Sequence, residues 1–279
     1  MLFACGKGCV TIGASMMQET RSKPYWLLDA SALTPSELVS LRQAPQIRWV
    51  YDHIQEEQAA AVGPVLVSPC AYADQLVEQL QADENRAWAV ATLHTQADFR
   101  TLAQHLVAIR YLHTQDGQRY YLRYADSRCI VALWPVLAVS QQRALMGPVQ
   151  HWAYTDRQVQ HQAISLGHET LPVAAVRSAT QLRLSDQQLG GLLQRTWPDQ
   201  LLCSVSELQP DMGHGLTSWQ RYACAQRVCD WLLAKQEERY PVQMAMLKLS
   251  LSSASPDWDD SKWLESLQVT YQACVESFA

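Results

Sequence analysis

The stretch Leu102–Arg128, LAQHLVAIRYLHTQDGQRYYLRYADSR, constrains this chain more than any other. It reads as the end of a helix, a strand, a tight turn, a second strand and a charged corner. Asp116-Gly117 predicts a two-residue type I′ turn, which needs positive φ at both central residues. Such a turn sets Gln115 against Gln118, Leu112 against Tyr121 and Arg110 against Arg123. One face of the hairpin then carries Arg110, Leu112, Thr114, Arg119, Tyr121 and Arg123. The other carries Tyr111, His113, Tyr120, Leu122 and Tyr124. Opposed arginines repel, so an acid is expected beside them, with Asp126 nearest in sequence and Asp29 as the other candidate.

Two readings fit Arg110, Arg123, Asp126 and Arg128. One is a set of guanidiniums and a carboxylate on a protein-binding surface, where arginine makes planar, bidentate contacts. The other is a buried Arg–Asp network that pins the corner to a sheet. Both hold if the network lies beneath the interface. Tyr121 and Tyr124 complete the candidate protein-binding residues.

A chain of 279 residues has room for one large domain or two small ones. The net charge of −5 offers no basic surplus for nucleic acid. No apolar run approaches the ~20 residues of a membrane span. Neither nucleic acid nor membrane is therefore expected as a partner. The first twenty residues lack a charged region followed by a long apolar one, so they do not read as a signal peptide. Met16 or Met17 is an alternative start. Eight scattered cysteines with no CxxC pair fit the reduced thiols of a cytosolic protein.

Motifs for chemistry are missing. The sequence holds no GxSxG elbow, no GxxxxGK[ST] phosphate loop and no HxxxH, HxH or HExxH spacing. Gly190-Gly191 suits close helix packing. Asp257, Asp259 and Asp260 suit the first turn of a helix, where the dipole favours acids. No catalytic, cofactor or metal site is expected.

Up to residue 155 strands and helices alternate, which predicts an α/β (α+β) lobe with a mixed sheet over 17–155. Strands are expected at Tyr25–Asp29, Ile47–Tyr51, Val62–Ser68, Ala87–Leu93 and from Gly147-Pro148 to about Tyr154. Thr34-Pro35-Ser36-Glu37 is a capping box with proline at the first helical position. Further helices are expected over Tyr72–Ala82, around Phe99–Ile109, and over Cys129–Leu137 with a break near Pro135. Residues 156–279 read as a mostly α-helical lobe. It starts with a polar linker over 156–180 holding one hairpin. Ser185 and Thr217 open capping boxes, the first helix ending near Thr196 because Pro198 follows. Met244–Leu251 and Pro256–Ser277 complete the lobe. Trp49, Trp88 and Trp134 are expected in the core.

The phrases HLVAIR, DG and YLRYADSR resemble the "HLR … DG … FRFYDPR" core of the type VI secretion effector chaperones or adaptors (Tap or Tec proteins, domain of unknown function 4123). YWLLDA at 25–30, GPVLV at 63–67 and LMGPVQHW at 145–152 fall in the same order, so the resemblance covers about 24–155. Ala125 and Ser127 depart from it, standing where the family usually has an aromatic residue and a proline. The corner thus lacks proline's fixed φ. The resemblance implies a cytoplasmic bacterial adaptor, not an enzyme, that binds a type VI effector (a toxin) and helps load it onto the VgrG spike. Recognition is expected around the hairpin and the 126–128 corner, with the helical lobe supplying effector specificity. Two other classes stay open: a hydrolase or nucleotide-binding enzyme with a site assembled from distant residues, and a structural component of the secretion apparatus. A deep polar pocket joining Asp29, Asp126 and a histidine marks the enzyme. An apolar groove rimmed by arginines marks the adaptor.

Overall fold

A computed structural model describes residues 22–51, 62–166, 181–253 and 260–277. Its elements run β1 (Lys23–Asp29), α1 (Pro35–Leu41), β2 (Ile47–Trp49), β3 (Pro64–Val67), α2 (Ala71–Ala82), β4 (Val90–Thr95), α3 (Phe99–Ala108), β5 (Tyr111–His113), β6 (Arg119–Tyr121), α4 (Ser127–Leu133), α5 (Val139–Met146), β7 (Val149–Thr155), β8 (His161–Ser165), β9 (Leu182–Arg183), α6 (Asp186–Leu208), α7 (Ser218–Ala234), α8 (Tyr240–Ser253) and α9 (Asp260–Ser277).

Side-chain alternation along β1 decides the architecture of the first lobe, because both of its faces are apolar. Tyr25 and Leu27 point into one core with Leu93, Leu106, Ile130 and Trp152. Leu28 points into a second core with Val65, Val90, Leu76 and Leu80. The sheet is therefore covered on both sides, by α3, α4 and the hairpin on one and by α1 and α2 on the other. Its order is β2-β3-β1-β4-β7-β8, and every pairing is antiparallel. A second sheet, β6-β5-β9, holds the one parallel pairing among the described strands, β5 with β9. An α+β lobe followed by a helical lobe is the fold class expected from the sequence.

Local signals were accurate where the chemistry is local. Thr34, Ser185 and Thr217 each cap a helix through a reciprocal box with Glu37, Gln188 and Gln220. The helix after Asp126 stops at Leu133 and continues as a 3-10 turn over Trp134–Val136, the break expected at Pro135.

Long-range packing revised three expectations. The sheet does not stop at residue 155: β8 pairs with β7 as its edge strand, and β9 adds Leu182–Arg183 beside β5. The rest of the expected linker, 167–180, lies outside the described residues, as do the alternative starts Met16 and Met17 and the acids Asp257 and Asp259. The helix opened by Ser185 runs through Pro198 to Leu208. Its first half packs Leu192 against the sheet lobe, and its second half buries Leu201 and Val205 in the helical lobe. Burial on two cores outweighs the hydrogen bond that Pro198 cannot donate. Finally, Trp49 and Trp134 pack against the cores as expected while staying half-buried, whereas half-buried Trp88 belongs to neither core, and Trp152 and Trp263 are buried.

The helical lobe closes α6–α9 around Val228, Leu232, Met246, Leu247 and Leu267. Its α7–α8 corner is held by Glu237, which accepts from Arg239 Nε at 2.9 Å and Nη2 at 2.7 Å. Hydrogen bonds from the Arg239 side chain and backbone lower the Glu237 pKa to about 2. A carboxylate depressed in the folded state stabilises the fold above its unfolded pKa, and this is lost as pH falls towards the folded one. The melting temperature should therefore fall between pH 5 and pH 2, and Glu237→Gln should flatten part of that slope. At the α5–β7 junction, Gly147 has φ 51° and ψ −116°, and a Cβ there would overlap the buried His105 ring. Gly147→Ala should cost roughly 2–4 kcal/mol, from strained backbone plus overpacking, as read by urea unfolding.

Candidate functional site

The hairpin does not form the expected turn. Thr114 N donates to Gln118 O at 3.1 Å and Gly117 N to Thr114 O at 3.2 Å. Gly117 alone carries positive φ, +85°, while Asp116 stays at negative φ. This is a three-residue loop, Gln115–Asp116–Gly117, closed by a type I turn and a left-handed glycine. Asp116 explains the choice: its carboxylate accepts from the Thr114 hydroxyl and from Gln118 N, a side-chain turn bond that works without positive φ at the aspartate.

The register therefore slips by one: Tyr111 faces Tyr121, Leu112 faces Tyr120 and His113 faces Arg119. A slip of one moves every side chain of one strand to the other face. Arg110 now lies beside Leu122, whose N–H donates to its carbonyl at 2.9 Å. It is not opposed to Arg123. The Arg110 guanidinium donates to Val107 O at 2.6 Å and sits 4.8 Å over the Tyr111 ring. Arg110 is thus outside the acid network, a correction to the sequence reading.

Arg123, Asp126 and Arg128 do come together, with Asp29 as the second carboxylate. Asp29 is fully buried at the end of β1 and caps the short turn at Ala30–Ala32 by accepting from Ser31 N at 3.0 Å. Arg123 Nη2 donates to Asp29 Oδ2 at 2.9 Å and to Ser31 Oγ at 2.8 Å, and lies 3.7 Å from Asp126 Oδ2. Asp126, also buried, caps α4 through Arg128 N at 3.0 Å. Its two oxygens accept from Arg128 Nε and Nη2 at 2.9 and 2.8 Å. The carboxylates are hidden while the Arg123 and Arg128 side chains stay 40% and 31% exposed. The network pins the corner and still presents its guanidiniums, so the two sequence readings are compatible. Burial and neighbouring Asp126 push the Cys129 thiol up to about 12, which keeps it protonated and a poor nucleophile at neutral pH.

Tyr124 is not a surface residue. It is fully buried, and its hydroxyl donates to Leu106 O at 2.9 Å; its ring meets Trp152 edge-on at 6.1 Å. Placing Tyr124 among partner-contacting residues is thereby overturned. Tyr121 is 47% exposed and packs against Tyr51 and Tyr111, with ring centres 4.9 and 5.0 Å away.

The structure adds residues that sequence reasoning missed. Arg128 stacks 3.7 Å over Trp88, a tryptophan assigned to the core. Beyond it Arg157 pairs with Asp199 at 2.5 Å and stacks 3.9 Å over Tyr222, linking the β7–β8 turn to both α6 and α7. Burial raises the Asp199 pKa, against the opposing pull of Arg157 and Arg128. Ser218 Oγ donates to Asn85 Oδ1 at 2.7 Å, a second tie between the lobes. No local motif marks these partners, because each pair joins different elements.

A cleft of about 430 Å³ opens where the lobes meet. Val131, Val136, Trp197 and Leu233 give it an apolar wall, and Arg128, Arg157, Arg195, Gln194, Gln226 and Asp230 make the rest of its lining polar. Val131 and Leu233 are 42% and 50% exposed. A smaller polar pocket, about 90 Å³, shares Arg128 and Arg157. Neither contains Asp29, Asp126 or a histidine. Among the described residues no three His, Cys, Asp or Glu side chains converge as a metal site, and no helix is long and apolar enough to cross a membrane.

Asp126→Ala removes a helix cap and leaves Arg128 without its bidentate partner. It should destabilise the fold by about 2–3 kcal/mol, and Asp126→Asn by clearly less, since asparagine still caps. Chemical denaturation of both variants checks this.

Residues 24–144 match the model of a family described as a domain of unknown function (DUF4123). The match runs from β1 to α5, so it contains the whole corner network and leaves the helical lobe outside. Comparison with curated proteins and with solved structures gave no match.

Proposed function

We propose, from the match of residues 24–144 to the DUF4123 model and the association of that family with type VI secretion effector adaptors, that the protein is a cytoplasmic adaptor. It binds one type VI effector and passes it to the VgrG spike, with no catalytic step of its own. The observation that carries this reading is the cleft between the lobes: an apolar wall with Arg128, Arg157 and Arg195 along it. Partly exposed aliphatic residues and tryptophan supply contact area, and arginine supplies oriented charge, the pairing found at the centres of protein interfaces. Arg128 belongs both to this cleft and to the corner network. A partner in the cleft therefore touches the family domain and the helical lobe together. The helical lobe, outside the family match, supplies what distinguishes one effector from another.

The test is purification of the tagged protein from its native bacterium at native expression, with mass spectrometry of what accompanies it. One large effector and the spike protein should be recovered, and deletion of the gene should abolish secretion of that effector while the apparatus still fires. Recovery of neither from a folded sample, with secretion unchanged by the deletion, contradicts the reading.

A further inference from the structure

The exposed face of the β5–β6 hairpin carries an imbalance of charge. The observed register puts Tyr111, His113, Arg119 and Tyr121 on one face. Arg119 and Arg110 both lie over the Tyr111 ring, at 4.3 and 4.8 Å from its centre. Neither guanidinium has a carboxylate within ion-pair distance among the described residues, unlike Arg123, Arg128, Arg157 and Arg239. Arg110 Nε is buried with no hydrogen-bond partner there. Burial tends to raise the Tyr111 hydroxyl, yet hydrogen bonds from Tyr121 and Arg110 and the charges of Arg110 and Arg119 pull it below its ordinary value.

Two like charges over one ring repel, and the ring's negative face offsets only part of that. The chain as a whole has a net charge of −5, so this patch runs against its composition. Stacking also fixes the planes of the guanidiniums before anything binds, which lowers the cost of a bidentate contact. The face itself is aromatic: Tyr121 is 47% exposed and Tyr51 stacks behind it, while Tyr120 lies on the opposite face with Leu112. β6 is an edge strand of its sheet, with all three residues exposed.

We propose that this face, centred on Arg119, Tyr111 and Tyr121, binds an extended acidic segment of a partner protein. Carboxylates of the segment neutralise Arg119 and Arg110, and its backbone and apolar side chains lie on the tyrosines. Its two acids stand on alternate residues, matching the period of a strand beside β6. The proposal rests on the adaptor reading for the identity of the partner, but not for the chemistry of the site.

The probe is a capped, fluorescein-labelled nonapeptide with glutamate at alternate positions, titrated into the full chain and followed by polarisation. A glutamine counterpart and a labelled dodecathymidylate are the comparisons. The glutamate peptide should bind and the glutamine peptide should bind about tenfold to a hundredfold more weakly, the range expected for a lost charged hydrogen-bond pair. Arg119→Gln, at an exposed position, should weaken the glutamate peptide by a similar factor, with unchanged thermal unfolding. Lys23→Gln, which removes an exposed charge elsewhere, should change nothing. Equal binding of the two peptides, binding of neither, equal effects of Arg119→Gln and Lys23→Gln, or tighter binding of the oligonucleotide each overturns the proposal. An effector complex that forms but ignores Arg119→Gln sinks this proposal and leaves the adaptor reading standing. Arg119-dependent peptide binding with no effector recovered does the reverse.

Discussion

Two carboxylates hidden from water organise this molecule. Asp29 closes β1, one of the two central strands of the large sheet, and Asp126 opens α4. Neither tolerates burial without compensation, and both draw on Arg123, from just beyond β6. The bond geometry is shared with local structure: each aspartate also caps a turn or helix by accepting from a backbone N–H. Sheet, hairpin and helix are thus fixed to one another at one point. Burial also disfavours the two guanidiniums, and their pairing with Asp29 and Asp126 more than offsets it, while their outer edges remain in solvent. The result is a corner whose acids are structural and whose arginines are presented outwards, stacked on Trp88 or set beside Tyr51.

From that corner the ion pairs and stacked rings lead into the helical lobe. α6 is the shared beam: its first half packs on the sheet lobe and its second half on α7 and α8. Arg157, from the β7–β8 turn, clamps Asp199 of α6 and Tyr222 of α7. A cleft framed in this way is set by rigid elements on both sides. Arg128 and Arg157 are already paired and stacked, so a ligand meets two oriented groups instead of flexible ones.

What the sequence made legible follows from range. The capping boxes at Thr34, Ser185 and Thr217 were readable because donor and acceptor are three residues apart. The Arg–Asp corner was readable because Asp126 lies between Arg123 and Arg128. The hairpin was found, but its register was not: Asp116-Gly117 suits two loop types, and the Thr114–Asp116 side-chain bond decides between them. That single slip hid the meeting of Tyr111 with Tyr121 and Arg119, and falsely set Arg110 against Arg123. Tyr124 was misplaced because an alternating strand pattern does not say which face the core lies on. The Arg157–Asp199 and Arg128–Trp88 contacts join residues about 40 positions apart, and Pro198 inside α6 is a local rule overridden by packing on two cores.

The central claim is that the corner and its flanking faces are where a partner docks. Hydrogen–deuterium exchange of the protein alone and in complex with its co-expressed effector tests it most directly. The account predicts slowed exchange over residues 119–128, along α4 and at the facing turns of α6. Protection confined to other elements, with the corner exchanging as it does in the free protein, would contradict it.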